Sequence, residues 1–107
     1  MSNSGNSIKD EAIREIAAGT ITNAFQLLGG AYTRDVFRDW FTNNTNGDIY
    51  LSTDGVTLHK KLPAFSGRAS DEKTNDFFRR TGTQWWIKFD VVPAAPSGWF
   101  GLEVEYV

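Results

Sequence analysis

The sequence predicts an all-β fold, a small β-sandwich of jelly-roll type, and three observations predict it. Apolar residues alternate with polar ones along several short segments, which is the period of a half-buried strand. These segments recur at roughly 8–12-residue intervals between Gly, Pro and Asn turns, the spacing of a sandwich or, alternatively, a small closed barrel. Only one stretch carries helical spacing. The chain has 107 residues, enough for one core and too few for two. It divides into a flexible N-terminal arm, residues 1–10, and a single sandwich domain, residues 11–107.

Residues Met1 to Ser7 are a polar Ser, Asn and Gly lead with too little apolar surface to offset its ordering entropy. From Ser7 to Ala18 two readings stay open. Ile8, Ala12 and Ile16 lie four apart, Ser7 suits a cap and Gly19 a stop, as in one short helix. Residues Ile13 to Ile21 also read as an extended segment entering a sheet, since three isolated turns of helix have little stability of their own. Thr20 to Leu28 alternates as a strand with Ile21, Phe25 and Leu27 on one side, and Gly29-Gly30 ends it. Val36 to Thr42 is apolar on both parities, as in a strand covered on both faces. Asn43 to Asp48 holds Asn46-Gly47, the signature of a tight hairpin. Ile49 to Thr53 is the next strand, and Thr53-Asp54-Gly55 turns it. Lys60 and Lys61 mark an edge strand that Pro63 terminates. Residues 66–76 form a polar loop, and Phe77-Phe78-Arg79-Arg80 returns to the sheet. After a turn at Thr81-Gly82-Thr83, Trp85, Ile87, Phe89 and Val91 alternate cleanly. Beyond the connector Pro93 to Gly98, the closing strand puts Phe100, Leu102, Val104 and Tyr106 on one face and Glu103 and Glu105 on the other.

The chemistry available is narrow. The chain has no cysteine, one histidine, and 11 basic against 13 acidic residues for a net charge of −2. Disulfide frameworks, zinc knuckles and thiol nucleophiles are therefore excluded. A mildly acidic chain without a Lys/Arg cluster argues against specific nucleic-acid binding. No apolar run approaches the roughly 18–20 residues of a membrane span. The lead has neither the basic head nor the apolar stretch of a secretory signal, so the expectation is a protein made in the cytoplasm. His59 has no orienting partner visible in the sequence, and no Gly-x-Ser-x-Gly elbow accompanies it. Thr42 to Asp48 has the flavour of a calcium loop but lacks its first and twelfth ligands, leaving at most an ion clipped between Asp48 and Asp54. Gly29-Gly30 is not a phosphate loop. The expectation is a protein that is not an enzyme and needs no cofactor or metal.

Aromatic residues are 14% of the chain: eight Phe, four Trp and three Tyr. Large rings build cores and also interfaces. By alternation Trp85 faces the core and Trp86 the other way; Trp40 with Phe41, and Trp99 with Phe100, likewise divide between two faces. Rings opposite the core are covered inside a sandwich corner of the chain itself, or call for cover from other chains, the preferred reading, or for a sugar to stack on. The candidate contact residues are Trp40, Trp86 and Trp99, with Lys60, Lys61, Arg79 and Arg80 for steering and for pairing with a neighbour's carboxylates. The arm, residues 1–10, reaches a neighbouring copy.

The run from Asn43 to Thr57, followed by Leu62-Pro63-Ala64, resembles a pattern in small virion proteins of tailed bacteriophages. Gly82-Thr83-Gln84-Trp85-Trp86-Ile87-Lys88, Ser97-Gly98-Trp99 and Ala24-Phe25-Gln26-Leu27-Leu28-Gly29 match further elements of that pattern, covering the chain from Thr20 onward. The resemblance implies a β-sandwich structural protein of the virion, a capsid cement or decoration subunit or a neck-collar subunit at the head-to-tail joint. The partners it implies are other copies of the chain and the major capsid, portal or neck and tail proteins. The chain departs from the pattern in its tryptophan content and its polar lead. The alternative expectation is a carbohydrate-binding sandwich, as on a tail fibre, with the same tryptophans as the sugar platform.

Overall fold

Alternation of Phe100, Leu102 and Val104 with Glu103 and Glu105 makes the last segment a strand with one buried and one solvated face, and the fold is organised around it. The computed structural model describes residues 9–71 and 81–106. Its described residues form nine strands: β1 (Lys9–Asp10), β2 (Arg14–Ala17), β3 (Gln26–Leu27), β4 (Val36–Thr45), β5 (Ile49–Ser52), β6 (Lys60–Leu62), β7 (Ser66–Asp71), β8 (Trp86–Phe89) and β9 (Gly98–Tyr106). Sheet I has the order β1-β9-β4-β7, with β2 following β1 along the same side of β9. Sheet II has the order β3-β8-β5-β6. Every pairing is antiparallel. The fold is the small β-sandwich that the alternation predicts.

The core lies between the sheets. Sheet I contributes Val36, Phe41, Phe100, Leu102 and Val104; sheet II contributes Ile49, Leu51, Leu62, Ile87 and Phe89, with Trp85 just ahead of β8. Phe41 meets Trp85 edge to face across the sandwich, ring centroids 4.9 Å apart, a geometry worth about 0.5–1.5 kcal/mol beyond area burial. Two polar knots span the layers. The Tyr32 hydroxyl donates to Asp39 Oδ2 at 3.0 Å and accepts from Trp85 Nε1 at 3.1 Å. Asn43, fully buried, donates from Nδ2 to the carbonyls of Gly47, Leu62 and Pro63 and accepts at Oδ1 from the Thr45 amide and hydroxyl. Arg14 closes one side, reaching from β2 to the carbonyls of Leu28 and Gly30 while pairing with Glu11.

Six expectations need correction. The helical reading of the N-terminal segment fails: Arg14–Ala17 pairs with Leu102–Trp99, and only Ala18–Thr20 forms a 3-10 turn. A short helix has little stability alone, whereas an extended segment satisfies the free edge of β9. Lys9 and Asp10, assigned to the arm, pair with Tyr106 and Glu105. In the Thr20–Leu28 segment only Gln26–Leu27 is strand, and Leu28 rather than Leu27 is buried. A local turn in which Thr22 bonds to Gln26 and Ala24 breaks the alternation there. The Asn46-Gly47 turn is not a hairpin, because β4 and β5 belong to different sheets. Gly47 keeps a negative φ, and its role is space: a Cβ there would lie 2.9 Å from both Phe89 and Pro93. The polar loop begins with a strand, β7, paired to β4; the remainder of it, and Phe77 to Arg80, lie outside the described residues. Strand β8 stops at Phe89, leaving Val91 exposed.

Candidate functional site

The pleat places the candidate tryptophans. On β4, Phe41 points into the core and Trp40 outward; on β9, Phe100 points inward and Trp99 outward; on β8, Ile87 points inward and Trp86 outward. The three rings are off-core, as the alternation predicts, but they do not share one surface. Trp40 and Trp99 lie on the outer face of sheet I, and Trp86 lies on the outer face of sheet II. A single sugar platform built from all three is therefore ruled out by topology.

Their exposure also differs, and glycines explain it. Trp99 is half-buried over Gly101, where a Cβ would come 2.9 Å from its Cζ3. Trp86 is half-buried against the turn at Gly55, whose Cβ would come 3.2 Å from its Cε2. Trp40 reaches toward Gly67 of β7 but stays 47% exposed. The chain thus covers much of two indoles itself, and Trp40 is the one that needs outside cover.

Trp40 borders a groove of about 170 Å³ that crosses β9 on the outer face of sheet I. Ile13, 53% exposed, lines it together with Trp40, and Asp10, Glu11, Glu103 and Glu105 give it four carboxylates against the single guanidinium of Arg38. Glu105 pairs with Arg38 at 3.3 Å and Glu11 with Arg14 at 2.6 Å. Asp10 and Glu103 have no ion-pair partner among the described residues. Sequence reasoning placed Glu103 and Glu105 on the solvated face of the closing strand but missed their meeting with Asp10 and Ile13. That meeting needs the pairing of β1 and β2 with β9.

The predicted basic residues fare differently. Lys60 and Lys61 do lie on an edge strand, β6. Lys61, however, is held within the chain between Asp48 at 3.6 Å and Asp90 at 3.7 Å, over the Tyr50 ring, and Lys60 is half-buried and engaged. Neither stands out as a steering charge. Arg79 and Arg80 lie outside the described residues. A second exposed apolar group was not foreseen: Phe65 (68% exposed, φ 56°), Val91 (74%) and Val92 at the sandwich end where Asp48 receives the amides of Ala64 and Asp90. A bulky residue in the left-handed region is unusual, and the sequence carries no signal for it.

The other candidate chemistries find no assembled site. His59 is exposed, its Nδ1 accepting from the Thr53 amide at 3.1 Å. Asp48 and Asp54 sit at opposite ends of β5, so a shared ion is excluded at about 3.3 Å of strand per residue. Asp54 instead holds its own turn: Oδ1 accepts from the amides of Val56 and Thr57 and from the Ser52 hydroxyl, and Oδ2 from the Thr57 hydroxyl. Among the described residues no three His, Cys, Asp or Glu side chains come together as a metal site, and no helix is long and apolar enough to cross a membrane.

Comparison with known proteins bears on the fold alone. No family model and no curated protein matches the chain. Among solved structures it is similar to a chain from work described as "Bacillus endospore appendages form a novel family of disulfide-linked pili", with a TM-score of 0.51 and 12% identity. The similarity covers 94% of this chain and 88% of that one.

Proposed function

We propose that this protein is a structural subunit that works by packing against other copies and other proteins of a larger particle. The observation that carries the reading is Trp40, a large ring 47% exposed beside Ile13 on an open sheet face. An isolated subunit gains nothing from placing an indole there, whereas aromatic side chains anchor interfaces. The turn motifs that resemble tailed-phage virion proteins support the finer form, a capsid cement or decoration subunit or a neck-collar subunit in the virion. The solved neighbour is described as belonging to disulfide-linked pili, so a sandwich of similar shape serves elsewhere as a building unit. Without a cysteine, this chain would assemble by non-covalent contact.

Mass photometry and sedimentation over a concentration series test the reading. Discrete oligomers, or stoichiometric recovery with intact particles, are the expected result. A monodisperse monomer at every concentration that also fails to bind the purified particle overturns it. A carbohydrate-binding reading is favoured by one observation, the shared face of Trp40 and Trp99. Glycan-array binding lost in Trp40→Ala would establish it instead.

A further inference from the structure

We infer that a second copy of this chain docks on the groove between Ile13 and Trp40 with the outer face of its sheet II, so that copies stack head to tail. The inference rests on the subunit reading above and adds to it the two surfaces that meet. The groove offers two kinds of contact. Ile13 and Trp40 are its apolar part. Asp10 and Glu103 are carboxylates with no ion-pair partner among the described residues. The groove's own arginine, Arg38, pairs with Glu105, and Arg14 pairs with Glu11. Glu103 stands directly opposite Trp40 across the β4–β9 ladder, which sets charge and ring about 5 Å apart at Cβ.

The other side of the molecule carries the counterpart. The pleat puts Leu27, Trp86, Lys88 and Tyr50 on the outer face of sheet II, where Leu27 pairs with Trp86 and Lys88 with Tyr50. Leu27 is 47% exposed on the edge strand β3. Lys61, also on this face, is already held by Asp48 and Asp90. Lys88 has its Nζ 4.9 Å from the centre of the Phe25 ring and no carboxylate partner among the described residues. It lies two residues along β8 from Trp86, a spacing of about 7 Å. Each face therefore sets an unmatched charge beside an indole and an exposed aliphatic side chain, and the two signs are opposite. Apolar pair against apolar pair, with the lysine against the carboxylates, is complementarity of the kind that selects a partner and fixes its register. The two faces point away from each other across the sandwich, so a single copy cannot bring them together. An isologous contact matches a patch with itself, whereas here two different patches meet, and repetition closes a ring or extends a filament.

A charge-swap experiment on the full chain tests this. One variant is Lys88→Glu, a second is Asp10→Lys/Glu103→Lys, and a third combines all three changes; circular dichroism with thermal melting checks that each is folded. Sedimentation at fixed ionic strength is expected to show self-association weakened at least about tenfold in the first and second variants. The combined variant is expected to recover, because each copy then carries both reversed halves. Leu27→Ser is expected to weaken association without lowering the melting temperature, and added salt to weaken the wild type. Wild-type association by a folded Lys88→Glu or Asp10→Lys/Glu103→Lys chain overturns the inference and leaves the subunit reading standing. So does a folded combined variant that stays dissociated, or a wild-type series that stops at a dimer. A wild type that is monomeric throughout overturns the inference, and the subunit reading falls with it when that monomer also fails to bind the purified particle.

Discussion

Asn43 shows how much of this fold hangs on single polar side chains. Its amide reaches three carbonyls and its oxygen two donors of Thr45, all from a fully buried position between the sheets. Replacing it by alanine strands buried backbone groups, each costing about 1–3 kcal/mol, so Asn43→Ala is expected to lower stability by about 3 kcal/mol in urea denaturation. Asp54 acts at the surface and through pH. Hydrogen bonds from the Thr57 and Val56 amides, and then from the Thr57 and Ser52 hydroxyls, hold its carboxyl below the usual carboxylate range. A carboxyl depressed in the folded state binds its proton more readily once unfolded, so its stabilisation is complete above the ordinary value and drains away as pH falls below it. Melting temperatures of wild type and Asp54→Asn are therefore expected to differ at neutral pH, wild type higher, and to converge below about pH 4. Convergence at any higher pH, or none at all, contradicts this account of the turn.

At the scale of elements, the β4–β9 seam sets the geometry of the groove. Gly98 opens β9 with φ +85°, and a Cβ on it would sit 1.8 Å from the Asn44 carbonyl oxygen. Backbone cannot yield as a side-chain tip can, so Gly98→Ala is expected to cost about 3 kcal/mol or more, visible as a lower urea midpoint. Strands β4, β5, β6, β8 and β9 were legible in the sequence because their turns and alternation are local. Strand β2 was one of two readings left open for its segment, and strands β1 and β7 were not legible, because polar segments such as Lys9-Asp10 or Ser66–Asp71 become strands only when a neighbouring edge offers them partners. The Asn-Gly turn misled for the same reason: its residues suit a hairpin, but the choice between returning to β4 and crossing to the other sheet is made by packing.

Across the whole molecule, the tryptophans separate core from surface. Trp85 is 1% exposed and meets Phe41 and the Tyr32 hydroxyl; its truncation to alanine is expected to cost about 3–5 kcal/mol. Trp40→Ala is expected to leave monomer stability within about 1 kcal/mol while reducing association. If the two substitutions destabilise the fold equally in thermal melts, Trp40 is a core residue and the surface reading of the groove is wrong. Of the candidate site, the sequence revealed which rings leave the core, since parity along a strand is a local property. It did not reveal that Trp86 stands on the opposite sheet from Trp40 and Trp99, or that the turn at Gly55, distant in sequence, packs against Trp86.

The amino-acid order by itself determined that the chain is all-β, which residues face the core along its longest strands, and that thiol chemistry is absent. Those properties follow from side-chain alternation and from composition, which need no knowledge of neighbours. Tertiary structure alone decided which strands pair, which sheet each tryptophan decorates, and where Asp10, Ile13, Trp40 and Glu103 meet. Those groups are separated by up to most of the chain length, and hydrogen-bond register across β9 brings them to one face.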